Sequence, residues 1–339
     1  MPTADRKIRL GLIGAGIIAS ESHAPALERL RDKLEVTAIC NRSAAKAEAL
    51  ADRLGIPHKM IWQDWQRFIS EAPLDAVLVC LPIGMNYPVS ETAARAGKHV
   101  LCEKPAGASL DEARASVGLG ARYGVTYMVA EDCHYTPCFT KAAELVRQGA
   151  IGRLVSISWS PLGFMPVDNK YARTEWRIHH DYPGGYLLDG GVHNIHVLQM
   201  LAGPVASVKA EVRSVEPRLG ELDHAFCLLN HDSGVLSSLN LSWRAKDRGD
   251  NPLKAFGTEG SLIVEWERIT KLDLEGKEEV IEVGAEDGFY LEQMDFHRAA
   301  VSGASPDCTP ESTARDVAVA LALLEAARSG SAAGVAPVA

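Results

Sequence analysis

The stretch "GLIGAGIIA", residues 11–19, constrains the fold of this chain more than any other. Gly14-x-Gly16-x-x-Ala19 follows the apolar run Ile8–Gly14 and opens a helical stretch over Ile17–Leu30. In such a turn the first glycine permits the sharp reversal and the second lets a pyrophosphate approach the backbone. The small third residue lets the helix pack close to the strand. The N–H groups and positive dipole end of the new helix then face the phosphates. The arrangement predicts a dinucleotide held at Gly14, Gly16, Ile17 and Ile18.

Strands and helices continue to alternate for the first 130 residues. Strands are expected at Val36–Cys40, Ala76–Leu81, His99–Cys102 and Thr126–Ala130, with helices at Ala44–Leu54, Pro88–Ala96 and Leu110–Tyr123. The run "AVLVCL" is apolar at every position, as a strand covered on both faces must be. This pattern predicts an α/β Rossmann domain, a doubly wound parallel sheet. After residue 150 the texture changes. "LVSISWS" (154–160) alternates, with Val155, Ile157 and Trp159 on one face and serines on the other. "ASVKAEVR", "AFCLLN", "VLSSLNLSW" and "SLIVEW" follow, joined by turn-rich links. A second, α+β domain with a large, mostly antiparallel open sheet is expected. The division reads 1–130, 131–330 and a flexible tail, 331–339. A final helix has Pro310 near its start and Gly330 beyond its end.

Bulk properties narrow the partners. A chain of 339 residues is long for one core. Its net charge of −9 argues against a nucleic-acid or anionic-membrane surface, and no run of eighteen apolar residues exists to span a bilayer. The N-terminus passes from polar residues directly into a strand, without an apolar signal core. None of the seven cysteines forms a CxxC pair. A reducing cytoplasm is expected.

The end of the second strand reads "AICNRS". Proteins that bind NAD commonly place there an acid for the ribose 2′-hydroxyl. Asn41, Arg42 and Ser43 offer none, and a guanidinium suits a 2′-phosphate. NADP is favoured over NAD.

Two further stretches carry chemistry. "HVLCEKPAG" (99–107) sets Glu103, Lys104 and Pro105 directly after an apolar strand, where ligands of open α/β sheets bind. "LLDGGVHNIH" (187–196) puts Asp189, His193 and His196 beside two glycines on a helix expected over Tyr186–Leu201. There Asp189 and His193 are i and i+4 on one face. Gly190 and Gly191 each weaken a helix interior by roughly 1 kcal/mol relative to alanine, so absent side chains must serve something, such as a flat ring against the helix. His193-x-x-His196 has a spacing that suits zinc, yet no third ligand stands at a convincing distance, so no metal is expected.

The sequences "GKHVLCEKPAG" and "GGYLLDGGVH", with the glycine loop, resemble the glucose–fructose oxidoreductase/inositol dehydrogenase family (Gfo/Idh/MocA) from residue 8 to about 325. The resemblance implies an NAD(P)-dependent oxidoreductase acting on a carbinol or carbonyl of a sugar, polyol or glycoside. It also implies a homodimer or homotetramer formed through the open sheet. Lys104 then contacts substrate and nicotinamide, and Asp189 and His193 face the reacting hydroxyl. Pro105 is expected to be cis. Leu81, Pro82, Asn86 and Glu103 fall among the family's cofactor contacts, although "LPIGMN" departs from its Pro-Asn-x-x-His pattern. "EDCHYTP" places His134, with Cys133, in a wall of the substrate pocket, and "EWR" places Trp176 and Arg177 near substrate. His196 stands where the family commonly has aspartate.

Hydride transfer from a secondary alcohol leaves a proton, which an imidazole titrating near neutrality can take. Lys104 would stabilise developing alkoxide charge. A regulatory protein sensing cofactor or sugar on this scaffold, or an NAD-dependent glycoside hydrolase, is the alternative. Intact Lys104, Asp189 and His193 favour the oxidoreductase.

Overall fold

A computed structural model describes residues 6–220, 222–246 and 251–339. The chain forms two compact units. One holds residues up to Asp132 with Asp287–Ala314 and the last two residues, and the other holds Cys133–Glu286 with Arg315–Pro337. The expected boundary near 130 lies close to the first crossing. The expected continuous second domain is interrupted, because helix Gly288–Ser302 belongs to the first unit.

The first unit is built on a six-stranded parallel sheet: β1 (Ile8–Ile13), β2 (Leu34–Cys40), β3 (Ile61–Trp62), β4 (Ala76–Val79), β5 (His99–Glu103) and β6 (Tyr127–Ala130). The order is β3-β2-β1-β4-β5-β6, so the winding reverses beside β1. Leu10, Leu12, Leu78 and Leu101 are among its fully buried side chains. Gly14 makes the close turn possible. Its φ is +106°, and a Cβ there would fall 2.1 Å from the Cys80 carbonyl oxygen. Two elements depart from the sequence reading. The helix after β4 starts at Ile83, five residues earlier than expected, with Pro88 inside it. The helix after β1 contains a π-helical turn, Ala19–His23, before Ala24–Arg29. Helix Gly288–Ser302 packs on this region: the Arg29 guanidinium sits 3.8 Å from the Tyr290 ring centroid, and Phe289 meets His23 edge-on.

The second unit holds a nine-stranded sheet. Its strands are β7 (Leu154–Trp159), β8 (Val205–Arg213), β9 (His224–His231), β10 (Leu236–Ser242), β11 (Leu253–Gly257), β12 (Gly260–Val264), β13 (Arg268–Asp273), β14 (Glu278–Glu282) and β15 (Ala333–Gly334). The order is β14-β13-β12-β11-β7-β10-β9-β8-β15. β7 and β10 run parallel and the other pairs antiparallel. One face is covered by helices Pro137–Arg147 and Val192–Ala202 and buries Ile157, Trp159, Leu239, Leu241 and Leu262. The alternation expected in "LVSISWS" is realised at Ile157 and Trp159, whereas Val155 is about half exposed.

The other face stays open. Phe226, Leu228, Leu236 and Phe256 are exposed on it among serines and charged residues. Registers Leu236↔Ser156 and Phe256↔Ser156 place Leu236, Ser156 and Phe256 side by side across three strands. The expected flexible tail is instead tied down. Ala333 pairs with Val208, and the Val335 N–H donates to the Ala206 carbonyl. No described helix is long and apolar enough to cross a membrane.

Candidate active site

The glycine turn fits a dinucleotide. Where Gly14 has no room for a side chain, a Cβ on Gly16 would meet nothing within 4 Å, so the backbone there opens onto space a pyrophosphate can fill. Ala19 is fully buried against the strand, as close packing of the helix requires. Ile17 and Ile18 are half-buried in the first helical turn, whose N–H groups lack carbonyl partners within the helix. Asn41 acts on the turn itself: its Oδ1 accepts from the Ala15 N–H at 3.1 Å, and its Nδ2 donates to the Ser43 carbonyl at 2.9 Å. Arg42 and Ser43 beside it are exposed.

Leu81 and Pro82 lie half-buried after β4. Asn86, expected at the cofactor, is inside the core instead. It is 1% exposed, and its Nδ2 donates to the Glu103 carbonyl at 2.9 Å. The early start of its helix turns it inward, so it pins the end of β5.

Glu103 is buried too. His23 Nε2 lies 2.8 Å from its Oε1, and Gln293 Nε2 lies 3.0 Å from the other ring nitrogen of His23. With the Gln293 amide donating, the imidazole carries its proton on Nε2 and donates to Glu103. Lys104 follows, half-buried, and the Lys104–Pro105 bond is cis, as the resemblance implies. His23 lies on the π-helical turn and Gln293 on the returning helix. No spacing rule links those residues to the "EKP" stretch.

In the second unit, the helix carrying "LLDGGVHNIH" is a π-helical turn, Leu187–Gly191, running into an α-helix, Val192–Ala202. Such bulges are frequent at functional sites. The wider turn removes the strict i,i+4 stacking of Asp189 over His193. Asp189 is paired with Arg177: Nε donates to Oδ2 at 2.6 Å, with the carboxylate 8% exposed and the guanidinium 16%. The Arg177 guanidinium also lies 4.0 Å from the Trp176 ring centroid. Trp176 and Arg177, expected at substrate, thus first serve to hold the Asp189 carboxylate. Burial pushes the neighbouring Tyr186 hydroxyl up to about 12 and Tyr182 higher still, so both stay protonated donors.

The glycines have a packing cause. A Cβ on Gly190 would come 3.0 Å from the Trp243 ring, and one on Gly191 would come 3.1 Å from Leu241. The helix therefore lies close on β10, and no flat ligand is needed to explain the missing side chains. His193, half-buried, lines a cavity of about 610 Å³ together with Gly190, Phe139, Trp159, Trp243 and Trp266. A ring nitrogen of His193 is within 4.8 Å of the Cys133 sulfur.

His196 points elsewhere. Its Nδ1 lies 2.7 Å from Asp316 Oδ2, and its Nε2 lies 2.9 Å from His134 Nδ1. Gln199 holds the other Asp316 oxygen at 2.8 Å. His134, expected in the pocket wall, is thus anchored through His196 to a buried carboxylate. Asp316 lies 120 residues from His196 in sequence, and no local signal marks it.

Comparison with known proteins agrees with this architecture. Residues 8–131 match the oxidoreductase family with an NAD-binding Rossmann fold, and residues 139–263 match the GFO/IDH/MocA C-terminal domain. The chain belongs to the Gfo/Idh/MocA family of NAD(P)-dependent oxidoreductases. It is 32% identical to the D-xylose 1-dehydrogenase (NADP(+)) 2 of Haloferax volcanii over 69% of each chain. An oxidoreductase from Thermotoga maritima, 32% identical, superposes with a TM-score of 0.91 over 97% of this chain and 99% of that one. Levoglucosan dehydrogenase in complex with NADH shares the fold at 21% identity, with a TM-score of 0.88 over 98% and 100%.

The polar cluster under Glu103 generates a prediction. Glu292 is fully buried, 3.7 Å from His23, with both carboxylate oxygens lacking a hydrogen-bond partner. Burial pushes its carboxyl well above the ordinary value, and the carboxylates of Asp132, Glu103 and Glu131 push the same way. A raised native pKa means the folded state binds the proton more tightly. This group's favourable contribution is therefore complete below its unfolded pKa and declines as pH rises above it. Glu292→Gln, neutral throughout, should melt higher than wild type at pH 8, by about 1–2 °C for each kcal/mol relieved. The gap should close toward pH 4.5. A lower melting temperature for the variant at pH 8 would mean an ionised Glu292 stabilised by His23.

Proposed function

We propose that the protein oxidises a secondary hydroxyl of a carbohydrate-like substrate, or reduces the matching carbonyl, with NADP(H) as the preferred cofactor. The observation that carries this reading is His193. It is a half-buried imidazole at the start of a helix, on the wall of a cavity large enough for a small ligand. Bound nicotinamide supplies the acceptor or donor of hydride. His193 takes the hydroxyl proton during oxidation and returns it during reduction. Lys104, at the end of β5, holds the negative charge that develops on the substrate oxygen. Asp189, kept in place by Arg177, orients the substrate hydroxyl, and His134 bounds the pocket. A sensor without turnover would need no proton acceptor at His193. The named relative that uses NADP+ on D-xylose supports both the substrate class and the cofactor.

The open face of the nine-stranded sheet is the proposed contact between copies in a homodimer or homotetramer. Half-exposed Phe226, Leu228, Leu236 and Phe256 give it an apolar centre. Light scattering at micromolar concentration should return a multiple of 36.5 kDa, and a monomer mass would reject the contact.

Exposed Arg42, with no acid beside it, leads to the cofactor prediction. NADPH should bind more tightly than NADH, and Arg42→Ala should weaken NADPH by about tenfold while changing NADH little, which corresponds to one charge-assisted contact. Equal titration curves in wild type would reject the preference.

His193→Ala should lower turnover by roughly a hundredfold or more with cofactor affinity nearly unchanged. The pH–rate limb near neutrality should vanish with it. Near wild-type turnover with that limb intact would make His193 a packing residue and leave Lys104 as the candidate proton acceptor.

A further inference from the structure

The cavity beside His193 is much larger and more apolar than a carbinol carbon alone requires. Phe139 and Trp159 form one wall, with ring centroids 5.5 Å apart, and Trp266 extends it, 5.7 Å from Phe139. Trp243 closes the side next to Gly190, and Leu253 and Val264 line the sheet floor. Trp266 is 69% exposed at the turn between β12 and β13. A large indole held in water at a cavity rim offers an uncovered apolar face.

The polar groups of this cavity are mostly spent on the protein itself. Ser242 Oγ accepts from the N–H groups of Arg244 and Ala245. Asn251 Nδ2 donates to the Leu162 carbonyl, and Trp159 Nε1 donates to the Asn251 carbonyl. Glu265 is bound by Arg268 through two hydrogen bonds. Among the described lining residues, His193 and Asn194 supply the polar side chains on the helix side. A polyhydroxylated ring at the aromatic end would find few free protein partners for its hydroxyls, which would keep water at the exposed rim and add little specific affinity. An aromatic or alkyl group would instead gain apolar contact there.

On the reading that His193 is the acid/base, we infer that the substrate carries two parts. Its reacting carbinol lies at His193, and an apolar, preferably aromatic, substituent lies against the wall of Phe139, Trp159 and Trp266. The substrate class is then an aryl or alkyl glycoside, or a similarly substituted cyclic alcohol, rather than a free sugar. Trp266 is the specificity-determining residue.

Phenyl and methyl β-glycosides of the same sugar, compared over a panel of hexoses and pentoses, test this. The full-length protein should show kcat/KM for the phenyl member at least tenfold above the methyl member. Trp266→Ala should shrink that ratio by about fivefold, and Trp266→Phe should restore most of it. Calorimetric titration of the NADP-loaded protein measures the same ratio in binding without turnover. A phenyl-to-methyl ratio near one in both assays overturns the inference, as does a ratio unaltered by Trp266→Ala. If no sugar is oxidised but phenyl glycosides still bind preferentially through Trp266, the proposed reaction fails while the aromatic subsite stands.

Discussion

The distance between one helix and one strand governs the second unit. At Gly190 and Gly191 the helix backbone approaches Trp243 and Leu241 so closely that a Cβ would fall 3.0 and 3.1 Å from them and its neighbours would have to give way. A helix held further away by two methyl groups would widen the space between His193 and the aromatic wall and weaken the packing on β10. The glycines are unfavourable to the helix by roughly 1 kcal/mol each. Burial of Leu187, Leu188, Val192 and Ile195 on the same segment offsets that. The two glycines therefore serve the packing of the helix on the sheet, and Gly190 also lines the cavity beside His193.

Three polar residues singled out by sequence acquire partners that sequence could not supply. Asp189 meets Arg177, Glu103 meets His23, and His196 meets Asp316. The shared reason is physical: a buried charge or imidazole must be paired, and the partner comes from whichever element packs nearest. Asp189 and Arg177 are twelve residues apart, across a loop. His23 and Glu103 are eighty apart, across the sheet of the first unit. Pairing of this kind fixes the side chains in direction, so that half-buried Lys104 and His193 extend from rigid supports.

Legibility in the sequence followed the strength of local patterning. The glycine turn, the fully apolar β4 and the alternating β7 were readable because each buries a repeating set of side chains. The hairpin of β13 and β14, "RITKLD" and "EEVIE", was not, since it is half-exposed and carries few apolar residues. Helix Gly288–Ser302 has no clear sequence signal because it buries Glu292, Gln293, Asp295 and His297 beside Phe296 and Ala299, which blurs the apolar stripe. Asn86 turns inward for a related reason: Pro88 reads as a helix start, but the helix begins at Ile83 and accommodates the proline in its second turn. The π-helical turns at Ala19–His23 and Leu187–Gly191 left no periodic signature at all.

The two ends of the nine-stranded sheet differ in how they meet solvent. At one end the short strand β15 covers part of β8, whose remaining length bears Lys209, Glu211 and Arg213. At the other end β14 carries three glutamates in five residues. Unpaired strand edges invite further strands to join, and charge along an edge opposes that. Growth by strand addition between two β14 edges would align like charges and is disfavoured, while the broad apolar-centred face carries no such barrier. Association by stacking closes after a set number of copies, whereas association by edges runs on into fibres. The glutamates of β14 thus oppose joining of that edge to its own copy without restricting contact through the face of the sheet.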